Sequence, residues 1–248
     1  MELTSFDIFH FEFPGWILYH YIVSAKLYTQ LQELADLQDK LNTSIDANWK
    51  ENRNLQDWIR TTWTECAELM QSLPWCWWKD IQTPDDNNIA VELVDIMHMV
   101  LSYVILSEYQ GKEKLLKFFS QELSSTKKNK KVAKMKSEPE KLVFLIEQVA
   151  RYFLNYQPKE GLEHFAIAIK ETVGFQKIYK LYVGKNILNH LRQEFGYKIG
   201  KYKKVIDGRE DNAFLMDYVN EGLELEEIKG KLETLLAQHN KRVKKIES

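Results

Sequence analysis

The sequence predicts an all-α fold, and three observations carry that reading. Turn-forming residues are scarce, with Gly 10 and Pro 5 in 248 residues, which disfavours a many-stranded sandwich or barrel. Leu27, Leu31, Leu34, Leu37 and Leu41 recur at spacings of four, three, three and four, the stripe of an amphipathic helix. Two acidic pairs, Glu65 with Glu68 and Glu92 with Asp95, sit three residues apart inside apolar sequence, the separation at which side chains leave a helix from one side. The architecture expected is a multi-helix bundle with a second helical lobe. At 44% hydrophobic residues the chain has ample material for a core.

Residues 1–24 are aromatic and apolar, yet Glu2, Asp7, Glu12 and Pro14 interrupt them and no basic stretch precedes them. They fit neither a secretion signal nor a spanning helix, which needs roughly 20 apolar residues. They read as an N-terminal arm or extension, followed by a single domain over 25–248. The leucine stripe predicts a first helix over about 25–43, ended by Asn42, Thr43 and Ser44. A second, over about 54–73, stops at Pro74, and a third starts at Asn87 or Asn88, both suitable caps, and runs to about 109. The connection from Leu73 to Lys79, with Trp75, Cys76, Trp77 and Trp78, is short enough to return the third helix alongside the second. Core packing and a binding role are both open for these tryptophans, since aromatic side chains dominate cores.

Core helices thus occupy 25–123. Over 124–138, Lys127, Lys128, Lys130, Lys131, Lys134 and Lys136 stand almost without large apolar neighbours, so the segment reads as a solvated linker. Residues 139–248 form the second lobe. Ser137 to Glu140 has the spacing of a capping box for a helix through about 156, and another near 159–173 ends at Gly174. A helix follows over about 175–195, then a glycine-punctuated basic loop over 196–212, then helices over about 212–219 and 221–246. In the last, acidic residues come early and lysines late, as the helix dipole favours.

The net charge of −2 supplies no global field for a nucleic-acid polymer, and a lysine run without interleaved aromatics reads as soluble surface. Neither a nucleic-acid polymer nor a membrane is expected as a partner. Two cysteines, Cys66 and Cys76, make no disulfide framework, and a reducing cytoplasm is expected.

The chemistry concentrates in the acidic pairs. Trp58 and Leu69 share the arc of Glu65 and Glu68, while Ile96 and Met99 share that of Glu92 and Asp95, so both pairs face partly inward. Inward carboxylates need partners, and oxygen donors without paired histidine or cysteine suit magnesium or manganese rather than zinc. His98, one turn past Asp95, lies within reach of such a centre. Lys185, Asn189 and Arg192 fall at i, i+4 and i+7 and predict one cationic helix face, followed by Tyr197, Lys198 and Gly200 in a loop suited to closing over a ligand. A divalent-metal cage beside a cationic clamp describes nucleoside triphosphate chemistry.

On five motifs in order, the chain resembles the dimeric, all-α deoxyuridine triphosphatases of the all-α NTP pyrophosphatase superfamily. They are Gln38 to Asn42, the Glu65/Glu68 block with Ser72 to Lys79, Glu92 to His98, Tyr182 through Lys198, and Glu210-Asp211-Asn212. The resemblance implies that Glu65, Glu68, Glu92 and Asp95 hold two or more Mg²⁺ ions, with Mn²⁺ as a substitute, and that Glu65 draws a proton from the attacking water. It implies a uracil site of Gln38 and Asn42 with Trp75, Trp77, Trp78 and His98. It implies phosphate contacts from Lys185, Asn189, Arg192, Tyr197, Lys198, Lys204 and Asn212. The activity implied is hydrolysis of dUTP, and of dUDP, to dUMP with release of pyrophosphate or phosphate, in a homodimer; a house-cleaning hydrolase for another nucleotide such as dCTP is the alternative. Met97 and Ile206 stand where relatives tend to carry tryptophan, which implies altered packing.

Overall fold

The computed structural model describes residues 15–78, 84–135 and 137–247, with side chains over 22–242. Residues 1–14 of the expected arm and Lys79 of the tryptophan connection lie outside the described residues. The first helix, α1 (Gly15–Ile45), begins earlier than the leucine stripe requires, because nothing in 16–24 breaks it. Leu27, Leu31, Leu34 and Leu41 are buried along it, as the spacing predicts. A short α2 (Trp49–Asn52) tucks Trp49 inward, its ring nitrogen donating to Asp39 at 3.0 Å.

Asn54 opens α3 (Leu55–Gln71) with a reciprocal capping box to Asp57. The expected caps of α4 (Asp86–Leu106) are corrected: Asp85 caps it by accepting from the Asn87 N–H, while the Asn88 amide donates to Ser72 Oγ at 2.6 Å. A carboxylate just outside the helix satisfies the free N–H groups and complements the dipole, leaving Asn88 to tie α4 to the end of α3. α4 is long and apolar enough by composition to cross a membrane, but most of that stretch is buried inside the protein. It is the central helix of the bundle.

α5 (Lys112–Ser124) was not anticipated, and it buries Leu115, Leu116, Phe119 and Leu123. Lys136 lies outside the described residues; the rest of the lysine-rich segment after α5 is largely exposed apart from Val132, which anchors a 3-10 turn. Ser137 caps α6 (Glu138–Leu154) by accepting from the Glu140 N–H. Then come α7 (Pro158–Glu171) and α8 (Phe175–Glu194). Gly161 lets α6 and α7 approach closely, since a Cβ there would stand 2.7 Å from the buried Phe153 ring.

The predicted loop over 196–212 contains a 3-10 turn and a two-strand hairpin, β1 (Val205–Ile206) with β2 (Arg209–Glu210). Asp207 and Gly208 sit at its tip with φ of 50° and 84°, the left-handed pair that two-residue hairpins favour. α9 (Asp211–Asn220) and α10 (Leu225–Glu247) close the chain.

α3 lies against α4 and α6, α1 against α4, α5 and α8, and α7 against α5 and α6, while α9 and α10 cover α8. The second lobe is continuous with the first, since one hydrophobic cluster runs from Leu27 to Leu236. Met97 and Ile206 are fully buried.

Candidate active site

α3 and α4 frame the site. Cys66 and Leu69 on α3, and Leu93, Val94 and Ile96 on α4, are buried, which carries the intervening acids to the rim of the core. There the carboxylates of Glu65, Glu68 and Glu92 place oxygens within 4.8 Å of one another. Glu65 and Glu92 are half-buried and Glu68 is exposed. Burial, and then the charges of Asp95 and Glu68, push the Glu65 carboxyl up to about 7; burial and Asp95 push Glu92 up to about 7 as well. Such crowding favours either a proton or a cation. The donor set is all oxygen, the chemistry of a hard divalent ion. Cys66 does not soften it, because burial, and then Glu65, raise its thiol to about 12 and keep it protonated.

The fourth acid, Asp95, is engaged by α8. Lys185 Nζ stands 2.5 Å from its Oδ2, and the Lys185 side chain is only 6% exposed. A cavity of about 570 Å³ is lined by Glu68, Glu92 and Asp95 together with Lys204 from the loop before the hairpin, Arg209 from β2 and Asn212 from the start of α9. Asp85, Glu210 and Asp217 line the same cavity, and Arg209 is paired with Asp217 at 2.7 Å, so the cleft is predominantly acidic, with Lys204 its other basic group.

The polar, cationic face predicted for Lys185, Asn189 and Arg192 is turned inward. Lys185 and Arg192 are buried, each on a carboxylate, because α8 is covered by α1, α4, α9 and α10. Arg192 forms a two-pronged pair with the fully buried Asp211, its Nε 2.8 Å from Oδ2 and an Nη 2.6 Å from Oδ1. Its remaining bonds hold Asn189 Oδ1 at 2.8 Å and Asn212 Oδ1 at 3.1 Å. Burial acts to raise the Asp211 carboxyl, but Arg192 and the Tyr202 hydroxyl hold it below the usual range. Among the expected phosphate residues, Lys204 and Asn212 line the cavity. Tyr197 and Lys198 are exposed: the Tyr197 ring lies 5.6 Å from Lys204 Nζ, and Lys198 donates to the Ile45 carbonyl at 3.0 Å, at the end of α1.

The expected uracil residues divide into two groups. Gln38, Asn42 and His98 are 2%, 6% and 3% exposed and bonded to one another beneath the acids, with Tyr182 and Ser102 completing the set. Trp75, Trp77 and Trp78 lie on the surface of the α3–α4 connection at 44%, 85% and 56% exposure, in edge-to-face contact. Core packing therefore fails for these three. Three exposed tryptophans in mutual contact on one surface connection form an apolar patch rather than scattered single residues.

Sequence reasoning missed Arg209, Asp211, Tyr182 and Ser102 as parts of the site. Asp207-Gly208 could have placed Arg209, since that dipeptide signals a hairpin between two short strands. Asp211 and Tyr182 stood in quoted motifs without an assigned role. For Ser102 we find no sequence signal.

A family model described as dUTPase matches residues 30–197 of this chain. That span contains all four carboxylates, Gln38, Asn42, His98, Lys185 and Arg192, and ends before Lys198, Lys204 and Asn212. Comparison with curated proteins finds no match.

Proposed function

This chain belongs to the all-α dUTPase family and hydrolyses dUTP; on that premise we propose that it does so with Mg²⁺ held by Glu65, Glu68, Glu92 and Asp95, leaving dUMP and pyrophosphate. The observation that carries the reading is the convergence of Glu65, Glu68 and Glu92 within 4.8 Å, with Glu68 and Glu92 lining one cavity together with Lys204 and Asn212. Magnesium, when bound, supplies charge neutralisation at the phosphates and acidifies water; Mn²⁺ has the same preference for oxygen donors. Two or more ions would use the same four acids.

The chain's own groups supply the rest. Glu65 takes a proton from the attacking water at its carboxylate. Lys204 and Asn212 hold phosphate oxygens, and Arg192 keeps Asn212 in place. Lys185 offsets the charge of Asp95. Gln38 and Asn42 present the amides that read a uracil edge, each able to donate and accept. The α3–α4 tryptophans, exposed as they are, give a base or a second subunit an aromatic surface, and we read the working form as a cytoplasmic homodimer. With dUDP the same site would release phosphate.

The test is direct. Glu68→Gln, an exposed position whose loss leaves the core untouched, lowers pyrophosphate release from dUTP by more than about a hundredfold, the upper range for disturbing a metal site from outside its ligands. Release at the wild-type rate from a protein with unchanged circular dichroism would remove Glu68 from the metal centre.

A further inference from the structure

Beneath the carboxylates, α1, α4 and α8 meet around a set of hydrogen bonds with a fixed direction. Ser102 Oγ lies 2.9 Å from the His98 carbonyl oxygen and 3.0 Å from Asn42 Nδ2. A carbonyl only accepts, so the one hydroxyl proton of Ser102 goes to His98 O and its oxygen is left to accept. Asn42 then turns its nitrogen to Ser102 and its oxygen to Gln38, 2.9 Å from Gln38 Nε2. That orientation sets Gln38 Oε1 against the Tyr182 hydroxyl at 2.6 Å and His98 Nδ1 at 2.7 Å, and both must donate.

Burial, and then Lys185 and Arg192, hold the His98 imidazole well below its usual range, so it is neutral and carries one proton. With that proton on Nδ1, Nε2 is a bare acceptor. Nε2 is also buried with no hydrogen-bond partner among the described residues, on a side chain 3% exposed. A dry acceptor without a donor is unfavourable unless a ligand brings one. Tyr182 adds a second restraint, stacking on His98 with ring centroids 4.0 Å apart.

We propose that Ser102 and Tyr182 are positioning residues for base choice: by fixing the direction of this chain they keep His98 Nε2 as an acceptor, matched to the N3–H of uracil and opposed to the bare N3 of cytosine. The inference rests on the dUTPase reading and deepens it, assigning the preference for dUTP over dCTP to two residues that act through Gln38, Asn42 and His98. Without Ser102 the chain is free to reverse. Gln38 would then turn its nitrogen to His98, the imidazole proton would move to Nε2, and a donor would face the base.

The experiment joins kinetics to nitrogen-15 NMR of the full-length protein. Wild type shows His98 protonated on Nδ1, and Ser102→Ala and Tyr182→Phe each lose about tenfold or more of the kcat/KM preference for dUTP over dCTP, the value of one well-placed hydrogen bond. In Ser102→Ala an Nε2–H signal appears for His98. A merely structural role would lower both substrates together and leave the tautomer alone. Wild-type His98 protonated on Nε2 overturns the proposal even if either variant fails to fold, and so do two folded variants that keep the wild-type preference. Wild type that ignores dUTP overturns the dUTPase reading and the base choice with it, whereas an Nε2–H His98 in an enzyme that prefers dUTP sinks this inference alone.

Discussion

Glu65 retains its proton up to about pH 7 in cation-free protein because burial, and then Asp95 and Glu68, disfavour its charge, against an ordinary value of 4.5. Between those values the folded state binds more protons than the unfolded chain, so this group's contribution to stability is full below 4.5 and is lost as pH rises through about 7. His98 runs the other way: its depressed value removes stability as pH falls below 6.5. The two overlap, so the Glu65 effect is best read as a difference between variants. In chelator, Glu65→Gln melts above wild type at pH 8 and near it at pH 5, by differential scanning calorimetry. Equal melting at both pH values would mean that the carboxylate crowding carries no strain. Added Mg²⁺ raises wild type more than the variant at pH 8, because binding to the native state stabilises in proportion to affinity. The clustering of Glu65, Glu68 and Glu92 was legible because the spacing within each acidic pair is a local property of its helix. Their partners were not, since Lys185 and Asp95 meet across ninety positions of chain.

α8 and its neighbours show what a helix face means only in company. Read alone, Lys185, Asn189 and Arg192 make a cationic stripe; enclosed by four helices, the same stripe becomes two internal ion pairs. The Arg192–Asp211 pair fastens α8 to the start of α9 and, through Tyr202, to the loop that carries Lys204 and the hairpin. Asp211→Ala leaves a buried guanidinium unpaired and costs about 3–5 kcal/mol in urea unfolding. Replacing both partners with apolar residues costs less than the single change. A loss near zero for Asp211→Ala would show that water or another acid reaches Arg192. α5 illustrates the opposite error. Its buried Leu115, Leu116, Phe119 and Leu123 are interleaved with Lys112, Lys114 and Lys117, so the segment reads as polar chain until α1 and α7 give its stripe something to cover.

The molecule as a whole has one core, with α4 at its centre and the acids of α3 and α4 at its edge. Residues expected in two lobes share that core, so unfolding is predicted to be a single cooperative transition. Far-ultraviolet circular dichroism and fluorescence of the buried Trp49 and the half-buried Trp58 should give coincident urea curves, in a background where Trp16 and the exposed tryptophans 63, 75, 77 and 78 are replaced by phenylalanine. Separated midpoints would mean that the later helices fold independently. By itself the sequence determined most of the helices, though not α2 or α5, and the pairing of the four carboxylates on two of them, because periodicity, capping and the i, i+3 turn are fixed by neighbours a few residues away. Tertiary packing decided which cations face solvent, which tryptophans stay outside, and which way the buried amide chain runs. Those outcomes depend on burial and on partners brought from distant helices, and no short stretch of chain contains them.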